Sequence, residues 1–124
     1  YWHVKIQDGS LPLSPEDLTQ LTGNLLDNAL DAVKMNGSPR IDLVLMCNRL
    51  GLELKVSNNG SPIPQNVRQN IFTAGYTTKS IKQHSGLGLY IIKQIIDRYD
   101  GQLELREPDD YSGVEFVIYI PWNK

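Results

Sequence analysis

Two asparagines and an aspartate, Asn24, Asn28 and Asp31, stand four and three residues apart in the stretch GNLLDNALDAV. In a helix turning roughly 100° per residue, that spacing puts them on consecutive turns of one stripe. With Asn24 set at zero, Asn28 falls near roughly 40° and Asp31 near roughly 340°, whereas Leu18, Leu21, Leu25, Leu26, Ala29, Ala32 and Val33 fall between about 60° and 200°. The polar stripe therefore runs along the rim of the face that must be buried. Asparagine competes for backbone hydrogen bonds and is a mediocre helix former, so two on one stripe ask for a role. The amide oxygen is a hard, neutral ligand, suited to a Mg²⁺ ion that keeps most of its water and shares its charge with phosphates. A solvated helix edge is the plainer reading of the same residues.

A second feature fits the first. The stretch SGLGLYIIKQIIDRYDG, residues 85–101, opens with Gly86 and Gly88 and then becomes apolar at Leu89, Ile91, Ile92, Ile95 and Ile96. Free N–H groups and a partial positive charge make a helix N-terminus a phosphate site, and glycine lets the anion reach the backbone. No Gly-Lys-Ser/Thr follows, so this is not a Walker A loop, and no strand leads into it as a dinucleotide fingerprint requires. A tight turn before a helix is the bland alternative.

The elements that must position these residues are punctuated clearly. WHVKI reads as a strand. SPEDLTQLTGNLLDNALDAVKMNG reads as a helix, with Ser14 as N-cap, Pro15 at the first position, Glu16 and Asp17 in the first turn and Asn36-Gly37 as its stop. RIDLVLMC and LELKVS read as strands joined by NRLG, the second with Leu52, Leu54 and Val56 on one face and Glu53, Lys55 and Ser57 on the other. NNGSPIP is irregular, QNVRQNIF is a short helix, and TAGYTTKSIKQHS is a mobile loop. The glycine-led helix stops at Gly101; QLELR and VEFVIYI close the chain as a hairpin around PDDYSG, with Val114, Phe116, Ile118 and Ile120 on one face. This order predicts an α+β fold, a mixed sheet with amphipathic helices on one face.

Composition narrows the class. The chain has 124 residues, 40% of them apolar, enough for one domain with one core. A net charge of −2 gives no overall attraction to nucleic acid or anionic lipid. The single cysteine, Cys47, lies in the apolar stretch LVLMC and reads as a core residue. No apolar run approaches the roughly 18 residues of a membrane span, and nothing reads as a signal peptide, so a soluble, intracellular domain is expected. The chain begins at Tyr1 without a methionine, the expectation for a fragment of a longer protein.

Four stretches in this order, GNLLDNALDAV, VSNNGSPIP, IFTAGYTTK and SGLGLYIIKQI, resemble the N, G1, F and G2 boxes of the GHKL superfamily, which includes gyrase, Hsp90, MutL and histidine kinases. The similarity is greatest to the catalytic ATP-binding domain of bacterial sensor histidine kinases, in the citrate/dicarboxylate-sensor and peptide-pheromone-receptor branches. The resemblance implies the Bergerat fold, an α/β sandwich with a flexible ATP lid. It implies ATP and Mg²⁺ as cofactors, Asn28 as the metal ligand, and Asn24 as the catalytic candidate at the metal–phosphate region, with Asp31 beside them. It places Asn58 at the adenine, counts Gly60 and Ile63 among the nucleotide-binding residues, and puts Thr77, Thr78 and Lys79 in the lid near the phosphates. Phe72 would anchor the lid, and the backbone of Gly86, Leu87, Gly88 and Leu89 would cradle the phosphates. The implied chemistry is transfer of the γ-phosphate to a histidine on a separate dimerisation and phosphoacceptor domain, and then to a response regulator. Neither His3 nor His84 has the acidic neighbour on a helix that the acceptor motif requires. The implied setting is the cytoplasmic side of a membrane-anchored sensor, with no membrane insertion by this domain itself, which is expected to be monomeric alone.

The chain departs from the family pattern around the base. Asn58 stands for the aspartate that accepts from the adenine amino group, Pro62 for a glycine, His84 for the first glycine of the G2 box, and Val114 for a threonine. The Asn58 oxygen can accept the same bond without charge assistance; if the amide turns over, its NH₂ can face a 6-oxo base instead. These departures keep a second function class open, a kinase-like interaction module with weakened nucleotide binding. A serine kinase acting on an anti-sigma antagonist shares the fold.

Overall fold

In the computed structural model, residues 1–7, 9–61 and 87–122 are described. The expected short helix QNVRQNIF, the lid and Phe72 lie outside the described residues, as do Ile63, Pro62, Thr77, Thr78, Lys79, His84 and Gly86. Ser14 starts the first helix, α1 (Pro15–Val33): its extended backbone is fixed by its own Oγ, which accepts from the Asp17 N–H at 3.1 Å. Pro15 costs nothing at a position whose N–H has no partner in the helix. The helix ends at Val33, slightly before the Asn36-Gly37 stop.

α1 is the crossover between two parallel strands, β1 (Trp2–Ile6) and β2 (Ile41–Asn48). β3 (Gly51–Asn58) returns antiparallel to β2 through a two-residue turn in which the Asn48 Oδ1 accepts from the Leu50 N–H at 2.9 Å. The second helix, α2 (Leu87–Arg98), leads to β4 (Gln102–Arg106) and β5 (Val114–Ile120), an antiparallel hairpin. The order β1-β2-β3-β5-β4 makes β3 the central strand of a five-stranded mixed sheet.

One core joins the sheet to both helices. Leu21, Leu25 and Ala29 of α1 and Ile92, Ile95 and Ile96 of α2 bury against Leu45, Leu54, Val56, Phe116, Ile118 and their neighbours. Each large apolar side chain so buried contributes about 1.5–3 kcal/mol relative to exposure. The expected strand face of Val114, Phe116, Ile118 and Ile120 is buried throughout, and Cys47 is buried among core residues as anticipated. Ala32 is a correction: it was placed on the core face but is exposed, because it lies at the margin of that face, near roughly 80° on the same wheel and beside the polar stripe, while Val33 next to it is buried. Ser57 lies on the far face as expected yet is buried, because the β4–β5 loop folds Tyr111 over it. Tyr111 donates to the Asp42 Oδ2 at 2.9 Å, beneath the Arg40 guanidinium 4.4 Å from the ring centre. β1 is the open edge, exposed along its whole length.

α2 ends in a way the sequence did not mark. The Gly101 N–H bonds the Ile96 carbonyl at 2.9 Å and the Asp100 N–H bonds that of Asp97 at 3.2 Å, the paired bonds of a Schellman cap. The left-handed residue is Asp100, at φ 56°, and Gly101, the expected stop, follows it. Gly101 is required for space, since a Cβ there would lie 2.7 Å from the Tyr119 carbonyl oxygen.

The two helices run antiparallel and are pinned at one end. The Tyr99 hydroxyl donates to the Asp17 Oδ2, Arg98 donates to the Asp17 Oδ1 at 2.8 Å, and the Ser14 N–H donates to the Tyr99 oxygen at 3.1 Å. The Tyr99 hydroxyl first, and Arg98 after it, hold the Asp17 carboxyl below the usual carboxylate range. A depressed carboxylate stabilises the fold above its unfolded pKa, and that contribution is lost as pH falls through its folded pKa. Tyr99→Phe should therefore cost about 1 kcal/mol at neutral pH. The melting-temperature gap between the parent and Asp17→Asn should narrow as pH drops from 7 through the acid range, read by circular dichroism.

Candidate functional site

The site is built where the unpinned stretches of α1 and α2 face each other. Asn24, Asn28 and Asp31 are all half-buried, as expected for a stripe on the rim of the core face. Asn24 donates through Nδ2 to the Gln20 carbonyl at 2.9 Å, which turns its Oδ1 away from its own helix. That oxygen faces the first turn of α2: a Cβ added at Gly88 would lie 3.3 Å from it. The Asp31 carboxylate is met by Lys34 at 3.1 Å.

Leu87, Gly88 and Leu89 form the first turn of α2, where backbone N–H groups lack partners within the helix. With no side chain at Gly88, these donors and the Asn24 oxygen can share one anionic group and its cation. Leu89 is half-buried and its side chain packs on the core. Among the described residues no group of three His, Cys, Asp or Glu side chains could hold a metal by itself. Amide oxygens on α1 fit a Mg²⁺ ion that brings water and phosphate ligands of its own.

The other end of the site is a three-way junction. Asn58 ends β3, buried at 3% exposure, and its Oδ1 accepts from the Gly60 N–H at 2.8 Å. A Cβ at Gly60 would sit 2.6 Å from the Ala32 carbonyl oxygen, so the strand's exit lies directly against the last turns of α1. From the start of β5, Gly113 crosses so close that a Cβ there would be 1.9 Å from the Asn58 carbonyl oxygen. Val114, in register with Asn58, adds an apolar wall.

Asn59 is a positioning residue that the sequence reading did not single out. Its Oδ1 accepts from the Arg40 N–H at 2.9 Å and its Nδ2 donates to the Ser38 carbonyl at 2.8 Å. Its own carbonyl accepts from the Asn36 Nδ2 at 3.0 Å, tying the strand exit to the loop after α1. Ala32, Met35, Asn36, Asn59, Gly60 and Ser61 line an open cleft of about 330 Å³ there. The pairing of two asparagines before a glycine was the available signal for Asn59, and a small residue in an apolar stripe was that for Ala32. Ile63, Thr77, Thr78, Lys79 and Gly86 lie outside the described residues.

A family model described as "Histidine kinase-, DNA gyrase B-, and HSP90-like ATPase" matches residues 14–124. This chain belongs to that family. The histidine kinase-like ATPase domain superposes on the nucleotide-free catalytic domain of histidine kinase ThkA with a TM-score of 0.77 at 26% identity, covering 97% of this chain and 77% of that one. Mycobacterial sensor histidine kinase MprB shares the fold at 24% identity, with a TM-score of 0.79 over 97% of this chain and 82% of that one. A probable C4-dicarboxylate sensor kinase of Halalkalibacterium halodurans is 32% identical over 111 residues, 88% of this chain. Sensor histidine kinase DpiB of Escherichia coli is 32% identical over 112 residues, also 88% of this chain. The ATPase domain spans 20% of the length of each of these two relatives.

Two glycines of this ATPase domain should separate structure from binding. Gly60→Ala forces a Cβ onto backbone and should destabilise by about 1–3 kcal/mol. Gly88→Ala meets only the tip of Asn24, so its melting temperature should stay close to the parent's while triphosphate binding falls. Thermal melts and calorimetric titration of both variants check this.

Proposed function

We propose that this domain binds ATP with Mg²⁺ and presents its γ-phosphate to a histidine on a separate helical domain, as the catalytic unit of a two-component sensor kinase. The observation that carries the reading is the Asn24 oxygen turned toward a side-chain-free Gly88 in the first turn of α2. Phosphoryl transfer needs little covalent help from a protein; it needs positioning and neutralised charge. The N–H groups of Leu87, Gly88 and Leu89 hold phosphate oxygens. Asn28 is the principal metal ligand and Asn24 the catalytic positioning group beside it. When bound, Mg²⁺ neutralises charge on the triphosphate. Asp31 is tolerable near phosphate because Lys34 and the metal offset its charge. Asn58, Gly60 and Ile63 meet the base; Thr77, Thr78 and Lys79 reach the phosphates from the lid; and Gly86 completes the phosphate cradle.

The protein partners of this reading are the domain's own dimerisation and phosphoacceptor unit and a response regulator. The domain alone is monomeric. No helix among the described residues is long and apolar enough to cross a membrane. In this reading the domain works at the cytoplasmic side of an anchored sensor. A kinase-like interaction module with weak nucleotide binding is the second reading, favoured by the Asn58 oxygen already bonded to Gly60.

Calorimetric titration with magnesium-ATP separates the two readings, since a pure interaction module gives no binding heat. Asn28→Ala should weaken magnesium-ATP binding at least tenfold while leaving the melting temperature close to the parent's. Equal binding by parent and variant overturns the metal assignment. Supplying a separately produced helical domain bearing the acceptor histidine should yield acid-labile phosphate on that domain only when the ATPase domain is present.

A further inference from the structure

The amide of Asn58 has a fixed direction. The Gly60 N–H can only donate, so the atom 2.8 Å away must be the side-chain oxygen; turning the amide over would set an NH₂ against an N–H. That leaves Nδ2, a pure donor, as the outward-facing atom. Among the described residues no acceptor is bonded to it. Nor is any buried side-chain nitrogen or oxygen left without a partner there, so Nδ2 keeps an opening to solvent although the residue is only 3% exposed.

Its place along the site says what meets it. The phosphate end lies at Asn24 and Gly88, and Asn58 lies at Ala32, through Gly60. From Asn24 to Ala32 α1 advances about 12 Å at 1.5 Å per residue, a span matching that from the phosphates of a nucleoside triphosphate to its base. Val114, opposite Asn58 in the sheet register, has no hydrogen-bonding side chain. Among the described residues that end β3 and begin β5, the side-chain group offered to a base is therefore the Asn58 donor.

We infer that Asn58 reads the purine as a hydrogen-bond donor, so that the site takes 6-oxopurine triphosphates at least as tightly as ATP. This rests on the nucleotide-binding reading above and deepens it. An amino group at position 6 would face the Asn58 NH₂ donor to donor, leaving both unpaired; a carbonyl at position 6 accepts from it. Adenine can satisfy Nδ2 only by shifting to offer a ring nitrogen. A carboxylate in the same place would keep one oxygen for the Gly60 N–H and offer the other to the 6-amino group, reversing the preference.

The test is a calorimetric titration of the 124-residue chain and of Asn58→Asp with ATP, inosine triphosphate and GTP, each with Mg²⁺. Inosine triphosphate isolates the 6-position, since it lacks the guanine 2-amino group. The parent should bind inosine triphosphate and GTP at least as tightly as ATP, and Asn58→Asp should shift the ratio about tenfold toward ATP. A parent that prefers ATP over inosine triphosphate by tenfold or more overturns the inference, whether or not the variant folds. So does an aspartate variant that folds and leaves the ratio unmoved. A chain that binds none of the three overturns the nucleotide-binding reading itself, an outcome distinct from binding without the stated preference.

Discussion

The carboxylate of Asp17 holds the architecture of the site in place from its far end. It takes the Tyr99 hydroxyl on one oxygen and Arg98 on the other, so the start of α1 is tied to the end of α2. Two antiparallel helices pinned at one end have their relative height fixed along their whole length. That height decides whether Gly88 comes level with Asn24 or slips by a turn. A slip of one turn is about 5.4 Å, enough to separate a phosphate held on α2 from a metal held on α1. The pairing at Asp17 thus sets a distance in a site it never touches.

Central placement of β3 does the same for the other end. Paired on both sides, the strand cannot shift, and its exit at Asn58 is wedged between Ala32 and Gly113. Two glycine contacts, at positions 60 and 113, mark where backbone from different elements comes too close for side chains. Loops can vary between such points, but the points themselves tolerate little change.

Much of this was legible from periodicity and punctuation. Ser14-Pro15 located the helix start, alternation in LELKVS and VEFVIYI located the core strands, and the Asn24, Asn28 and Asp31 stripe lay on the rim where the wheel put it. Those signals are local, set by one helix turn or one pleat. What stayed hidden depends on meetings between distant segments. Ala32 fits an apolar wheel, but at the margin of the arc the wheel cannot say how far burial extends. Ser57 alternates outward, but Tyr111 arrives to cover it from a loop far along the chain. The Asn58 amide has two possible orientations in the sequence and one in the fold, because only the fold brings the Gly60 N–H to it.

The left-handed residue at the end of α2 has a different kind of consequence. Asp100 holds φ 56°, where an L-residue is penalised by about 1 kcal/mol and glycine is not. The chain therefore keeps part of its thermal margin unclaimed at a surface position, beyond the reach of the phosphate end of α2. Selection that stops at a working threshold leaves such reserves in place. They are what allow a lineage to accept a destabilising change at the site, such as a new residue facing the base, and regain heat resistance by one substitution elsewhere.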